Sequence, residues 1–298
     1  MKLPDLLAAR LLDAGLDPVG VERVVLAALE EDLAGGVDVT SVAAIPFDHE
    51  STADFVARDG GVVAGLPVAA AVLWAVTDEA VAIQERAVDG MRVDAGTVLL
   101  SATGGTRGLL TGERTALNLL GHLSGIATLT RRWVDAIAGT GAAIRDTRKT
   151  TPGLRMLEKY AVRCGGGVNH RMSLSDAALI KDNHVLAAGG VGAAFVAVRS
   201  AFPDVPVEVE CDTVEQVGEA VAAGAQLVLL DNMPVASMRE AVELVRQSGS
   251  GCRLEASGGL TLANAAEVAA TGVDYLAVGA LTHSAPVLDI GVDLRRSS

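Results

Sequence analysis

The chain has 298 residues, and 24 Lys+Arg against 37 Asp+Glu give it a formal charge of −13. That balance speaks against a nucleic-acid partner, because phosphate polymers want a basic face. Half the residues are hydrophobic but only 3% aromatic, so the core is built from Val, Leu, Ile and Ala, and no apolar run reaches the roughly 18–20 residues that cross a bilayer.

The segment from Met1 to Arg10 carries an early acid and no signal-peptide cleavage pattern. Cys164, Cys211 and Cys252 are odd in number and have no metal-like spacing, which predicts reduced, mostly buried thiols. Both observations predict a cytoplasmic protein. The length suits two modest domains, or one large α/β domain with an extension.

In chain order, helices are predicted over 4–16 and 18–30, followed by a polar stretch over 31–41. Strand-like pieces follow near 51–57, 61–64, 81–86 and 97–102, with Gly-containing turns. This is an α+β pattern with its own sheet. A long helix over 112–138 then connects or flanks two domains.

From residue 142 the pattern changes. Short apolar runs at 142–146, 177–182, 205–211, 227–231, 253–257 and 275–280 alternate with amphipathic stretches at 213–223, 235–247 and 262–270. Thr213, Ser237 and Thr261 are placed to cap helix starts. Continuously apolar strands separated by helices imply a parallel sheet covered on both faces.

Each run closes on polar groups: Asp146, Lys181 and Asp182, Glu208 and Glu210, Asp231, Glu255 and Ser257. In a βα-barrel such ends converge over a ligand, whereas in a doubly wound sheet they are strung along an edge. Neither G-x-G-x-x-G nor G-x-x-x-x-G-K-[ST] occurs, so the common nucleotide fingerprints of an open sheet are missing. A barrel is favoured, with six or seven strands visible.

Charge is unevenly spread. Residues 142–184 hold eight Lys/Arg and four acids, so that segment is +4 while the rest carries −17. A basic island in an acidic chain points to a small anion held locally. Its densest part is Asp146-Thr147-Arg148-Lys149-Thr150-Thr151-Pro152-Gly153, a strand-end loop offering one planar fork and one point charge to carboxylate or phosphate. The plainer alternative is a solvated basic loop. Gly165-Gly166-Gly167-Val168-Asn169-His170-Arg171 lets backbone approach a ligand and adds two donors, though a glycine run alone is weak evidence.

Lys181 ends an apolar strand, either as a Schiff-base nucleophile or as a fixed cation; the neighbouring arginines favour the cation. Glu210 and Asp231 end successive strands and suit Mg²⁺ shared with substrate phosphates, or a pair that merely balances nearby cations. Ser257-Gly258-Gly259 and Val278-Gly279-Ala280 follow late strands, where glycine turns cradle phosphate. The inventory amounts to phosphoryl or phosphoribosyl chemistry on a poly-anion.

At these residues the sequence resembles the quinolinate phosphoribosyltransferase family. The resemblance runs from Glu31-Asp32-Leu33 and Asp38-Val39-Thr40-Ser41 through Gly112-Glu113-Arg114-Thr115-Ala116-Leu117-Asn118 and the two loops above. It continues through Ile180-Lys181-Asp182-Asn183-His184, Glu208-Val209-Glu210, Leu230-Asp231-Asn232 and Glu255-Ala256-Ser257-Gly258-Gly259. It implies an α/β fold of the type II phosphoribosyltransferase kind: an N-terminal α/β sandwich over about 1–120, to which the chain returns after about 284, and an incomplete, roughly seven-stranded βα-barrel over 121–298.

It further implies phosphoribosyl transfer from phosphoribosyl pyrophosphate to quinolinate with decarboxylation, Mg²⁺ as cofactor, and a homodimer whose partner completes each barrel mouth. By motif, Arg148, His170, Arg171 and Lys181 correspond to groups that grip the quinolinate carboxylates, and Arg114 to one reaching in from the other subunit. Lys149 corresponds to a residue touching both substrates, and Glu210 and Asp231 to the acids near ribose and Mg²⁺. Ser257, Gly258 and Gly279 correspond to phosphate turns, with His283 close by; Lys149, Lys181, Glu210 and Asp231 form the expected catalytic set. Within the same superfamily, a relative encoded in molybdenum-transport gene clusters is the rival. Outside it, the rivals are a Schiff-base aldolase and a non-catalytic anion-binding module.

Overall fold

The computed structural model describes residues 3–77 and 80–296, so Met1 and Lys2 and the last two positions of the 121–298 span lie outside the described residues. The elements in order are α1 (Asp5–Asp13), α2 (Pro18–Leu33), α3 (Val39–Ala44), β1 (Glu50–Ala57), β2 (Gly61–Val62), α4 (Leu66–Val76), β3 (Ala82–Glu85), β4 (Arg92–Val93), β5 (Val98–Gly105) and α5 (Thr106–Ala136). Then come β6 (Ala143–Arg145), α6 (Arg155–Cys164), β7 (Ala178–Ile180), α7 (Asp182–Ala188), α8 (Val191–Ala201), β8 (Val207–Cys211) and α9 (Val214–Ala222). The chain closes with β9 (Leu227–Asp231), α10 (Val235–Ser248), β10 (Arg253–Ser257), α11 (Ala265–Ala269), β11 (Tyr275–Ala277), α12 (Ala280–His283) and β12 (Ile290–Arg296).

Two compact units form: residues 1–131, 150–166 and 281–298 make one, and 132–149 with 167–280 make the other. The division differs from an expected break between 120 and 121, because that position lies inside the continuous helix α5. Residues 150–166 belong to the first unit for a physical reason. Glu158, fully buried on α6, accepts from the Thr151 amide and pairs with His122 Nε2 at 2.9 Å, and the Tyr160 hydroxyl donates to Asp89 at 2.5 Å.

The first unit is built on an antiparallel sheet of order β12-β1-β5-β3. β1 sits in the middle, pairing Ala57 with Ile290 on one side and Ala53 with Ala102 on the other. Helix α4 is buried along Leu66–Leu73, which requires an all-apolar, small-residue helix. Gly125 on α5 explains how the returning chain packs: a Cβ there would lie 2.0 Å from the Pro286 carbonyl oxygen. β12 thus gives the chain's return to the first unit, from residue 281 onward.

The second unit is a parallel sheet of order β6-β11-β10-β9-β8-β7. Six strands pair, and Val168 takes a seventh place as a lone parallel bridge to Arg145 beyond β6. The Gly165-Gly166-Gly167 run just before it leaves little chain to continue the ladder. Among the described residues no strand joins β7 back to Val168, so the barrel is incomplete. Thr213 caps α9 by accepting the Gln216 amide, but Ser237 caps nothing: α10 starts earlier, with Pro234 at its N-cap. Thr261 and Asn264 exchange hydrogen bonds in the turn leading to α11.

Candidate active site

Strand parity decides which side chains face the interior of the second unit. Successive residues point to opposite faces, so Lys181, Glu210, Asp231 and Ser257 at the C-terminal strand ends share one side with Leu179, Glu208, Leu229, Glu255 and Ala277 below them. A cavity of about 320 Å³ opens at those C-terminal ends. It is lined by Lys181, Glu210, Asp231 and Ser257 together with Arg148, Lys149, His170 and Arg171. Eight of the expected site residues therefore meet in one place.

The two loops that bring the cations here are held by one buried acid. Asp146 is fully buried at the end of β6, accepting the His170 amide at 2.8 Å and the Asn169 side-chain amide at 2.5 Å. Arg148 and Arg171 face the same cavity, and among the described residues neither forms an ion pair with an acid. Arg148 Nε is buried without a hydrogen-bond partner. Arg171 donates Nη1 to the Ala177 carbonyl at 2.8 Å. Burial, and next the positive charge of Arg148, hold the Arg171 guanidinium below its ordinary pKa; Glu208 and Asp176 oppose this. Two partly buried cations that repel each other form a site for an anion.

Lys181 sits between β7 and α7 with its side chain 51% exposed and Nζ 3.3 Å from Glu210 Oε2. A Schiff-base nucleophile needs a desolvated amine; this is an exposed cation held by a carboxylate. Asp231 Oδ2 accepts from Asn232 Nδ2 at 2.7 Å, and the Asn232 amide donates to the Ser257 carbonyl at 2.9 Å. Gly258 has φ +83°, and a Cβ there would lie 2.1 Å from Asn232 Oδ1. Only glycine satisfies both limits, so the turn after β10 is shaped against the turn after β9.

Four expected residues are not in that cavity's lining, among them Gly258, which follows Ser257 in the turn after β10. Gly279 lies between β11 and α12 in the second unit. Arg114 is exposed on the part of α5 that belongs to the first unit. His283, also in the first unit, pairs Nδ1 with the Ser284 hydroxyl at 2.6 Å.

Asp146, Glu208 and Glu255, polar groups at the ends of their apolar runs, are buried below the open mouth, although Glu255 still lines the upper cavity. They are 0%, 3% and 0% exposed. Glu208 faces the same side as Glu210 but two residues earlier, which puts it about 7 Å deeper. His170 Nε2 lies 2.7 Å from Glu208 Oε2 and 3.8 Å from Glu255 Oε1, and Arg145 Nη1 donates to Glu255 Oε2 at 2.7 Å. Burial, and then the Glu208 charge, push the Glu255 carboxyl up to about 8, with Arg145 pulling the other way. Burial thus favours the neutral form of Glu255. A second cavity of about 510 Å³ opens at the strand starts, lined by Arg145, Glu208, Arg253 and Tyr275, and it shares His170 and Arg171 with the first.

Two groups of acids bear on metal binding. Among the described residues, the three-ligand group whose atoms converge is His170, Glu208 and Glu255. Within that group Arg145 donates to Glu255 Oε2, whereas both Glu208 oxygens and Glu255 Oε1 are buried without a hydrogen-bond partner among the described residues. Glu210 and Asp231 are half-buried carboxylates on adjacent strands lining the upper cavity. They fit Mg²⁺, which takes one or two carboxylates and completes its octahedron with water and substrate phosphate.

The sequence matches the family description "Quinolinate phosphoribosyl transferase, N-terminal domain" over residues 38–124 and the corresponding C-terminal domain over 126–293. It is 54% identical over 268 residues to the nicotinate-nucleotide pyrophosphorylase [carboxylating] of Mycobacterium leprae, covering 90% of this chain and 94% of that protein. It is 43% identical to the probable nicotinate-nucleotide pyrophosphorylase [carboxylating] of Bacillus subtilis, covering 90% and 91%. Among solved structures, NadC from Streptococcus pyogenes superposes with TM-score 0.90 at 39% identity, covering 95% of this chain and 99% of that one. The Francisella tularensis nicotinate-nucleotide pyrophosphorylase does so with TM-score 0.88 at 36% identity, covering 93% and 96%.

Proposed function

The chain belongs to the quinolinate phosphoribosyltransferase family and transfers phosphoribosyl from phosphoribosyl pyrophosphate to quinolinate with decarboxylation; on that premise we propose how its side chains divide the work. The product is nicotinate mononucleotide, with pyrophosphate and CO₂, in NAD biosynthesis.

The carrying observation is the Arg148–Arg171 pair, two guanidinium groups facing one cavity with no carboxylate bound to either among the described residues. Quinolinate brings two adjacent carboxylates, and planar forks match carboxylates two-point. Arg148 and Arg171 take them, with Lys181 adding a third positive charge from its perch on Glu210. Both ring nitrogens of His170 face protein groups, so the imidazole touches quinolinate only by giving one of these up.

In the same cavity Glu210 and Asp231 would hold Mg²⁺ together with the diphosphate, and Ser257 with the adjoining Gly258 turn, where no Cβ fits, would receive the 5-phosphate. When bound, Mg²⁺ neutralises the charge that gathers on the departing pyrophosphate. The anomeric C–O bond breaks as the quinolinate nitrogen bonds to that carbon, and the oxocarbenium-like centre faces Glu210 and Asp231. The C2–carboxylate bond then breaks and its electron pair stays at C2, where the ring's positive nitrogen stabilises it. Lys149 and Lys181 are the ammonium groups positioned at the mouth to supply the proton to C2.

Arg114, exposed on α5, suits a role in the partner's site, which supports a homodimer with shared active sites. Gly279 and His283 are assigned to phosphate contacts on the resemblance of their motif. Cytoplasmic residence is supported by three free cysteines, two of them buried. Among the described residues no single helix is long and apolar enough to cross a membrane. The +4 basic island of residues 142–184 supports small anionic substrates as the partners, and the net charge of −13 speaks against nucleic acid.

Calorimetric titration with quinolinate and with nicotinate, which lacks the 2-carboxylate, tests the assignment. Quinolinate should bind at least about tenfold tighter, the worth of one charge-assisted carboxylate contact. Equal affinities would contradict the two-carboxylate reading of Arg148 and Arg171.

A further inference from the structure

We propose that Glu208 is a positioning residue for the quinolinate end of the site: it holds the His170 ring at Nε2, and the ring's other nitrogen sets the backbone from which Arg171 reaches the substrate. The inference rests on Arg171 gripping a quinolinate carboxylate, and it adds a residue two layers of contact away from that carboxylate.

The geometry begins at the far nitrogen. The Arg171 amide donates to His170 Nδ1 at 2.6 Å. A ring nitrogen that accepts a hydrogen bond carries no proton, so the proton of the neutral imidazole sits on Nε2. That edge faces Glu208 Oε2 at 2.7 Å. The contact is close, and neither buried Glu208 oxygen has any other hydrogen-bond partner among the described residues. A carboxylate 3% exposed depends on the few polar groups it has, and the imidazole is the nearest of them.

The remaining restraints fix the same short segment. The His170 amide donates to Asp146 Oδ1 at 2.8 Å, and Arg171 Nη1 donates to the Ala177 carbonyl at 2.8 Å. His170 is thus hydrogen-bonded at its backbone and at Nδ1, with its Nε2 edge against Glu208, and Arg171 is held at its amide and at its guanidinium. A half-turn of the imidazole about its ring axis exchanges Nδ1 for a C–H and releases the Arg171 amide. Glu208 opposes that turn, because it also replaces the Nε2 edge with carbon against a carboxylate.

A simpler role for Glu208 competes: a negative charge that merely offsets nearby arginines. The two roles separate on Glu208→Gln, which keeps an oxygen acceptor beside Nε2 but removes the charge. Positioning predicts that Glu208→Ala raises KM for quinolinate roughly 5- to 20-fold, the worth of about one hydrogen bond, with KM for phosphoribosyl pyrophosphate changed less than about twofold. Glu208→Gln should restore most of the quinolinate KM. Charge balance predicts that Gln behaves like Ala.

The deciding measurement is a long-range ¹H–¹⁵N spectrum of the free enzyme labelled in its five histidines, with His170 identified by its loss in His170→Asn. The expected result is the Nε2–H tautomer near neutral pH, together with rescue by Glu208→Gln. An Nδ1–H or doubly protonated His170, or a Gln variant as impaired as Ala, overturns the proposal. The spectrum needs no substrate and no folded Ala variant. It therefore separates this proposal from the Arg171 assignment, which fails instead if Arg171→Ala weakens both substrates equally.

Discussion

Arg171 and Arg148 share one wall of the barrel mouth, and each lacks a carboxylate partner among the described residues. Like charges in a partly buried cavity are unfavourable until an anion joins them. The free enzyme therefore holds this repulsion, and a dianionic substrate relieves it. This relationship ties the fold to substrate choice, since Asp146 positions both loops from inside the barrel.

Replacing Arg171 with Ala removes one charge-assisted fork. Quinolinate KM should rise by roughly 10- to 100-fold, the equivalent of about 1.5–3 kcal/mol, while KM for phosphoribosyl pyrophosphate stays within about threefold. Steady-state kinetics with each substrate varied in turn checks the split. Lysine at this position should recover only part of the loss, because it has the charge without the fork.

Glu210→Gln and Asp231→Asn each remove one carboxylate from the diphosphate side. Each should raise the Mg²⁺ concentration for half-maximal activity by about tenfold or more, since Mg²⁺ relies on few protein ligands. Mg²⁺ titrations at saturating substrates provide the comparison. Glu210→Gln should also loosen Lys181, which loses its ion-pair partner at 3.3 Å. An additional rise in quinolinate KM is expected for that variant and not for Asp231→Asn.

Gly258→Ala and Gly259→Ala make a matched pair. Both positions have left-handed backbone, with φ +83° and +62°, but only at Gly258 does an added Cβ meet another atom, 2.1 Å from Asn232 Oδ1. Gly259→Ala should cost about 1–2 kcal/mol of backbone strain. Gly258→Ala adds overpacking of about 1–3 kcal/mol and disturbs the turn assigned to the 5-phosphate. Denaturant unfolding should rank the two, and only Gly258→Ala should weaken phosphoribosyl pyrophosphate binding strongly.

Glu255 gives the protein a pH signature. Its folded pKa, pushed up to about 8, lies above the ordinary value of 4.5, so the native state holds this proton more tightly than the unfolded chain. Its contribution is fully present below about pH 4.5 and is lost as pH rises through 8. Wild-type stability should therefore fall over that window by up to about 1.4 kcal/mol per pH unit from this group. Glu255→Gln, which mimics the protonated form, should flatten the dependence. Equal slopes for the two proteins between pH 5 and 8 would contradict a protonated Glu255.

Much of the mouth was legible in the sequence because strand C-terminal ends announce themselves. Apolar runs that stop at Lys181, Glu210, Asp231 and Ser257 place polar groups on one face, and the structure gathers all four. Depth was harder to read. Glu208 and Glu255 look like further strand-end acids, yet the two-residue period puts each one layer below Glu210 and Ser257, where they are almost wholly buried. Counting parity back from the last polar residue of each run was the available signal.

Other features depend on contacts distant in sequence. The residence of 150–166 in the first unit rests on Glu158–His122 and Tyr160–Asp89, and local pattern carries no trace of either pairing. Helices α7 and α8 follow Lys181 directly and went unpredicted. Their Ala- and Gly-rich sequence has a weak helical period. The seventh strand shrinks to one bridge at Val168 because three glycines precede it.

The central claim is tested most directly by following CO₂ and nicotinate mononucleotide together, from quinolinate, phosphoribosyl pyrophosphate and Mg²⁺, with nicotinate replacing quinolinate as the control. The account predicts equal amounts of both products from quinolinate and no mononucleotide from nicotinate. Mononucleotide formed from nicotinate, or none from quinolinate, would contradict it.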